Sequence, residues 1–358
     1  DIGDFYYTPP TGFLALCTSN LPAVDVVPSK HFNTVLYTGN ATARSITGVG
    51  FQSDLVWAKS RNVVDPHVLT DSVRGVQKTL MSNDTAAEYA DSTGLTAFGS
   101  DGFTIGTASR WNGNTRTYVA WNWKANGSGS SNTNGSINST VSANVDAGFS
   151  IATWTGTSGL GTDTIGHGLS QAPELIISKI SNTGDGWFVY HKDLASGSGL
   201  QLNTTAAESS SYWASAPTST VFTEPNDSAN VWEHVTYAFH SVDGYSKVGS
   251  YEGNGHATDG TFVYTGFRPA WLLYRNIDRS ENWLIEDIKR NPSNRVAGAK
   301  LQANVSDAET TETRWGFDFL SNGFKVRQTQ AQNANNGSGE TIIYLAFAET
   351  PFKYSNAR

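Results

Sequence analysis

One cysteine, Cys17, stands in 358 residues, so no disulfide can close within the chain and a disulfide-stapled scaffold is excluded. It lies in Phe13-Leu14-Ala15-Leu16-Cys17 and reads as a small hydrophobe. Charge is scarce: 16% of residues are charged, with 24 Lys and Arg against 32 Asp and Glu, a net of −8. No basic run exceeds Lys289-Arg290, so a surface that neutralises a nucleic-acid backbone is not expected. No apolar stretch reaches the about 18 residues of a spanning helix, and membrane insertion is not expected. Helical apolar periods and heptads are absent. The seven histidines include no His-x-x-x-His or His-Glu-x-x-His pair, so no metal is expected. The nearest approach to Gly-x-Ser-x-Gly, at Gly127-Ser128-Gly129-Ser130, falls in a polar linker. Glu286 and Asp287 are adjacent on a strand, face opposite sides and cannot flank one glycosidic bond. No glycine-rich phosphate loop precedes a helix. These absences argue against an enzyme and against a cofactor.

What is present is one order of signals stated three times, from about Thr34 to Ala125, Phe149 to Ser241 and Lys247 to Thr350. Each copy opens on an aromatic, a spacer and a glycine: Tyr37-Thr38-Gly39, Trp154-Thr155-Gly156, Tyr251-Glu252-Gly253. An apolar run ending in a base follows: Leu55 to Lys59, Leu175 to Lys179, Trp271 to Arg275. A second strand-like run comes next, His67 to Asp71, Trp187 to His191 and Trp283 to Asp287. Then Asn-x-Ser/Thr-x-Ala-Glu recurs without a gap, from Asn83 to Glu88, Asn203 to Glu208 and Asn304 to Glu309. Copies one and three share a hairpin signature, Phe98 to Phe103 and Phe319 to Phe324. All close on an aromatic strand: Tyr118 to Trp121, Val235 to Phe239, Ile342 to Phe347. Six landmarks in one order indicate repeated units. Their spacing of roughly 100 residues is too long for a solenoid and suits a small domain.

The 35 glycines, 12% aromatics and short Val/Ile/Thr/aromatic runs between Gly/Asn/Asp/Ser clusters read as strands and turns. Asp101-Gly102 and Asn322-Gly323 suit tight hairpins with positive φ. The expected fold is all-β: tandem β-sandwich, jelly-roll or lectin-like domains formed by three divergent internal repeats. The expected division is an N-terminal strand and extended arm over 1–30, sandwiches over 31–125, 141–241 and 242–358 (the last with a C-terminal tail), and a flexible or surface-draped Gly/Ser/Asn linker over 126–140. Because that linker is long and the joint Ser241 to Gly244 is short, the first unit is expected to be looser than the other two. Thr85 to Glu88, Thr205 to Glu208 and Ser306 to Glu309 fit Ser/Thr-x-x-Glu and predict a capped helical turn in each copy. On that reading Asn83, Glu88, Asn203, Glu208, Asn304 and Glu309 are a structural motif, not a ligand site.

The arm Tyr7-Thr8-Pro9-Pro10-Thr11-Gly12-Phe13-Leu14-Ala15-Leu16-Cys17-Thr18-Ser19-Asn20-Leu21-Pro22 resembles a segment that follows SPRY-like domains in tailed-phage proteins. Gly48 to Lys59, Asp71 to Gly75, Tyr118 to Ala125, Gly249 to Gly255, Phe262 to Ala270 and Pro351 to Arg358 are similar in the same way. The resemblance covers essentially the whole chain and is to large, marine-phage-like tail fibre or SPRY-domain-associated virion proteins. It implies a place on the virion surface and a role in host attachment. Other virion proteins and a host surface glycan or receptor would be its partners, in a homo-oligomer that is a trimer by analogy with fibres. It also implies that Arg358 ends the protein and that residues 1–7 are the tail of a preceding domain. Few cysteines and low charge suit a particle assembled in a bacterial cytoplasm and released.

For sites, the tryptophans at the repeat landmarks, Trp57, Trp121, Trp123, Trp154, Trp187, Trp271 and Trp283, read as core, and Trp213 and Trp315 as structural. Trp111, in Ser109-Arg110-Trp111-Asn112-Gly113-Asn114, has no obvious counterpart in the third copy and is the expected exposed aromatic. Trp111, Asn112 and Asn114, with Asn254 and His256 of the third-copy loop, are the candidate glycan-binding residues. No residue is assigned a catalytic role. The expected function is attachment to host cells by glycan binding. The alternatives are a purely structural or decorating fibre or capsid-associated protein, a polysaccharide-degrading tailspike whose acids meet between units, and a secreted bacterial adhesin.

Overall fold

The computed structural model describes Tyr7, Pro10, 26–157, 162–225, 231–292, Asn294, 298–311, 316–327 and 335–349. Most of the expected arm, with Cys17, lies outside the described residues, as do Trp315 and the tail after Glu349. A 3₁₀ turn at Pro28–Lys30 leads into the first strand.

The first segment contains β1 (Phe32–Thr38), β2 (Arg44–Ile46), β3 (Leu55–Ser60), β4 (Val68–Asp71), β5 (Lys78–Thr79), β6 (Tyr89–Ala90), β7 (Leu95–Gly99), β8 (Gly102–Ile105), the one-turn helix α1 (Ser109–Asn112) and β9 (Thr117–Trp123). The second contains β10 (Ser130–Asn132), β11 (Ser139–Asn144), β12 (Phe149–Thr155), β13 (Thr164–Gly166), β14 (Leu175–Ile180), β15 (Trp187–His191), β16 (Leu200–Gln201), β17 (Val221–Thr223) and β18 (Glu233–Phe239). The third contains β19 (Ser246–Glu252), β20 (Phe262–Tyr264), β21 (Pro269–Asn276), β22 (Leu284–Asp287), β23 (Leu301–Gln302), β24 (Gly316–Leu320), β25 (Gly323–Arg327) and β26 (Thr341–Ala348).

Each segment builds one large antiparallel sheet, and the three share a strand order. They run β1-β9-β3-β4, then β12-β18-β14-β15-β16 with β11 and β10 added outside β12, then β19-β26-β21-β22-β23. The closing aromatic strand therefore lies in the middle of its sheet, between the opening strand and the base-ended strand. Trp57 faces Trp121 across β3 and β9, and Ile177 faces Tyr237 across β14 and β18.

One face of every large sheet packs on a small sheet, β2-β8-β7, β13-β17 or β20-β25-β24. The clusters between them hold Val56 and Ala120 against Phe103 and Ile105, Ile176 and Ala238 against Ile165 and Phe222, and Leu272 and Tyr344 against Phe324 and Val326. These are three β-sandwiches. The other face of every large sheet turns inward to one cluster that all three share, including Trp57, Trp121, Trp123, Ile177, Tyr237, Phe239, Trp271, Leu273, Leu345 and Phe347. Trp123 marks the meeting point, with ring centroids 5.1 Å from Phe32, 5.5 Å from Trp271, 6.0 Å from Phe347 and 6.5 Å from Phe239. A void of only about 10 Å³ remains among Leu55, Trp123, Ile177, Tyr237 and Leu345, so the centre is packed and not a channel.

Burial on both faces explains why β3 and β14 are buried at every position and read as continuous apolar runs without alternation. It also corrects the expectation of separate domains with a looser first unit. Sheets that each leave an apolar face uncovered must cover it with one another.

One local expectation is narrowed and another corrected. Of the two readings of the stretch 126–140, the surface-draped one fits the structure and the free one does not. Gly127 and Gly129, at φ 70° and 81°, turn it back so that Ser130–Asn132 pairs with β11 at the rim of the second sheet. Its hydroxyls are engaged: Ser136 donates to Asp163 and Ser139 to the Gly166 carbonyl. No helical turn forms at Thr85–Glu88, Thr205–Glu208 or Ser306–Glu309. The Asn before each instead accepts a strand N–H, from His67 at 2.9 Å, Trp187 at 2.8 Å and Trp283 at 3.0 Å. Those long-range partners hold the motif extended.

Candidate functional site

The extended motif is where the sheets are joined. Immediately before β4, at the first position of β15 and immediately before β22, the residues His67, Trp187 and Trp283 aim a ring nitrogen at a carbonyl of the adjoining segment: Gln302, Met81 and Gln201, at 3.0, 2.9 and 2.9 Å. The His67 tautomer is fixed, because Nδ1 accepts from Trp57 Nε1 and Nε2 must then donate. The strand-end bases follow the same order. Lys179 Nζ reaches the Thr85 carbonyl, and Arg275 donates to the Gln201, Thr204 and Ala206 carbonyls. Each joint sets the base end of one sheet against the Asn-to-Glu stretch of another. First meets third, second meets first and third meets second, which closes a ring.

The ring is not uniform, and its departures make a site. Two residues beyond each base stand Arg61, Ser181 and Ile277, whose amides donate to the equivalent carbonyls of Thr117, Glu233 and Thr341. At the first–third joint Arg61 grips Glu309 with two bonds of 2.9 and 2.8 Å, and Arg290 reaches the same carboxylate at 3.2 Å. At the third–second joint Ile277 enters the shared core. At the second–first joint the short Ser181 leaves the space empty. A cleft of about 600 Å³ opens there between Arg74, Lys78 and Glu88 on one side and Thr153, Thr155 and Glu233 on the other. The added rim strands contribute Ser131, Asn138 and Thr140, all exposed.

The basic groups of the cleft are held by carboxylates. Glu88 spans Arg74 and Lys78, each at 2.7 Å, and Arg74 also holds Asp71 at 2.6 Å. Burial disfavours the Arg74 charge, but the Asp71 carboxylate, the Tyr237 hydroxyl and Glu88 outweigh it and hold the guanidinium above its ordinary value. Beneath the floor, Trp154 and His234 stack 3.8 Å apart and nearly parallel at 6°. Burial, then the charge of Lys179, pushes the His234 imidazole down to about 3, so it stays neutral at neutral pH. The walls therefore present hydroxyls, an amide, paired charges and the exposed Glu233 around an open concavity. That chemistry suits a polyhydroxylated ligand.

The sequence-predicted residues lie elsewhere. Trp111 is not exposed: α1 turns its ring into the first sandwich against Phe103, and it is fully buried. Asn112 is buried too, accepting from the Asn40 amide and donating to the Thr42 and Gly106 carbonyls. It has a third-segment counterpart in Asn336, which accepts from the Asn254 amide. Asn114, Asn254 and His256 are exposed, but Asn254 spends its side chain on Asp259 and Asn336. The first trio and the second pair belong to different sandwiches. Of the structural motif, Glu88 alone lines the cleft. Arg74, Lys78, Thr153, Thr155 and Glu233 were missed; the signal was Ser181 standing where the first segment carries Arg61. Among the described residues no cluster of three or more His, Cys, Asp or Glu could hold a metal ion.

No curated protein and no solved structure matches the chain. One family model, a domain of unknown function (DUF7483), matches residues 27–351 and so takes in all three large sheets as a single unit. The chain belongs to the DUF7483 family.

Proposed function

We propose that this chain is a surface module of a tailed-phage particle that attaches to host cells by binding a cell-surface glycan. The observation that carries the reading is the polar cleft at the second–first joint, present because Ser181 replaces the arginine of the equivalent joint. Hydroxyl and amide walls complement sugar hydroxyls, and paired charges bind without requiring a charged ligand. The resemblance to tail fibre and SPRY-associated virion proteins supports the setting, with other virion proteins as partners. Copies assembled as trimers, as fibres are, would present three clefts and gain avidity from weak single contacts. Binding is favoured over cleavage because both oxygens of Glu88 are tied to cations, which leaves Glu233, the other carboxylate of the lining, without the free partner that a glycosidase pair needs.

The test is adsorption of the purified chain to host cells and to extracted surface polysaccharide, compared with Ser181→Arg. Saturable binding by the wild type and at least tenfold weaker binding by the variant are expected. Absence of binding beyond background overturns attachment and favours a decorating role. Release of reducing ends from the polysaccharide would instead favour a depolymerase.

A further inference from the structure

A second surface differs from its counterpart in a way that packing does not require. In the small sheet β20-β25-β24 the strand β20 is an edge, and its residues alternate: Val263 is buried while Phe262 and Tyr264 are 44% and 63% exposed. The pairing places Phe262 beside Lys325 and Lys325 beside Asp318, so these three form one row on the outer face. Tyr264, Gly323 and Leu320 form the next row. Gly323 has no room for a side chain, since a Cβ there would stand 2.0 Å from the Val263 carbonyl and 3.2 Å from the Phe262 ring. The Phe262 ring thus leans over Gly323, beside Tyr264 and Leu320.

In the first segment the equivalent sheet is β2-β8-β7, with Ile46 paired to Phe103 as Val263 is to Phe324. Its outer face carries Ser45, Thr104 and Ala97 where the third carries Phe262, Lys325 and Asp318, and Thr47 follows where Tyr264 stands. Serine and threonine meet the needs of the fold there. Two solvated aromatics in their place cost hydration and demand another reason.

We propose that the outer face of β20-β25-β24 is a second glycan subsite, in which Phe262 and Tyr264 stack on the C–H face of a pyranose ring. The ion pairs at its rim direct the hydroxyls. Lys325 holds Asp259 at 2.5 Å and Arg327 holds Asp318 at 2.8 Å, so charged donors and acceptors are pre-set beside the rings. Two aromatic side chains offer at most ~150–250 Å² each, far below the ~800 Å² per partner of a specific protein interface. A single sugar ring fits that area. The exposed His256 stands close by: its Nδ1 accepts from the Asp259 amide, leaving Nε2 to carry the proton at the rim.

The ligand class rests on the attachment reading, but the site does not use the cleft. The test prints bacterial O-antigen and neutral hexose oligosaccharides on an array and probes it with three full-length chains: wild type, Phe262→Ser with Tyr264→Thr, and Ser181→Arg. The first pair reproduces the side chains of the first segment at exposed positions, so unchanged melting is expected. Supporting the proposal, the double variant loses at least tenfold in binding to a set of glycans that Ser181→Arg still binds. Unchanged binding by the double variant overturns the platform and leaves the cleft standing. A wild type that binds no saccharide overturns both. Wild-type self-association abolished by the double variant without a glycan signal overturns the sugar reading in favour of strand addition along β20.

Discussion

At the scale of single residues, the joints are built from buried charge held in fixed geometry. Asp71 is fully buried, pairs with Arg74 at 2.6 Å and accepts from Tyr237 of the second sheet at 2.8 Å. Asp287 repeats the arrangement with Arg290 and with Trp121 Nε1. Asp71→Ala removes one member and leaves Arg74 buried with Glu88 alone, so a loss of about 3 kcal/mol or more is expected in chemical denaturation. A loss under 1 kcal/mol would refute the account. The histidines set the acid limit. His67, His167, His191 and His234 are buried, and burial lowers each below the ordinary 6.5, to about 4 for His167 and about 3 for His234. The unfolded chain therefore binds protons that the folded chain does not, so their stability is present above pH 6.5 and is lost as pH falls toward 4. Each contributes a slope of up to ~1.4 kcal/mol per pH unit. Glu286, which burial raises to about 7, acts in the opposite sense between 4.5 and 7, but four histidines outnumber it. Melting temperature should drop from pH 6.5 to 4.5; a flat profile would rule out neutral burial.

At the scale of elements, the hairpins illustrate what was legible and what was not. Phe98 to Phe103 and Phe319 to Phe324 predict hairpins, and β7–β8 and β24–β25 are hairpins. The reason for their glycines is different from turn geometry alone. A Cβ at Gly102 would meet the Ile46 carbonyl at 2.1 Å, and one at Gly323 the Val263 carbonyl at 2.0 Å. A third strand passes too close for any side chain. Gly323→Ala should cost about 2 kcal/mol by overpacking and loosen β20, read as faster amide exchange there, whereas Gly99→Ala, whose Cβ would stand 3.6 Å from its nearest neighbour, an ordinary contact, should cost less. The β character was visible in apolar runs such as Leu175 to Lys179 because strand residues carry it locally. The helical cap fails because Ser/Thr-x-x-Glu is also a local pattern, while the partners that decide it, the His67, Trp187 and Trp283 amides, lie at the entry to another strand. Trp111 was misjudged for a related reason. Its Asn and Gly neighbours suggest a loop, yet a one-turn helix suffices to bury the ring. The cleft was the hardest to see, since Ser181 is informative only beside Arg61.

At the scale of the whole molecule, the shared core ties segments that each look large enough to stand alone. Fully burying a Leu, Ile or Phe contributes roughly 1.5–3 kcal/mol, and much of that burial here lies between sheets. Calorimetry should therefore give one cooperative transition for the full chain; three separate transitions would contradict the common core. The ring also has an asymmetry of connectivity. The chain itself crosses from first to second segment and from second to third, so two joints have covalent backing. No backbone crosses from third to first. That joint is a clasp, and it is the one fastened by Arg61 and Arg290 on Glu309. During synthesis the first and second segments can meet once both are made, whereas this joint stays open until the third segment emerges. Force that pulls the first segment from the third would load this fastening with no covalent joint to share it, which makes it the place where the molecule yields.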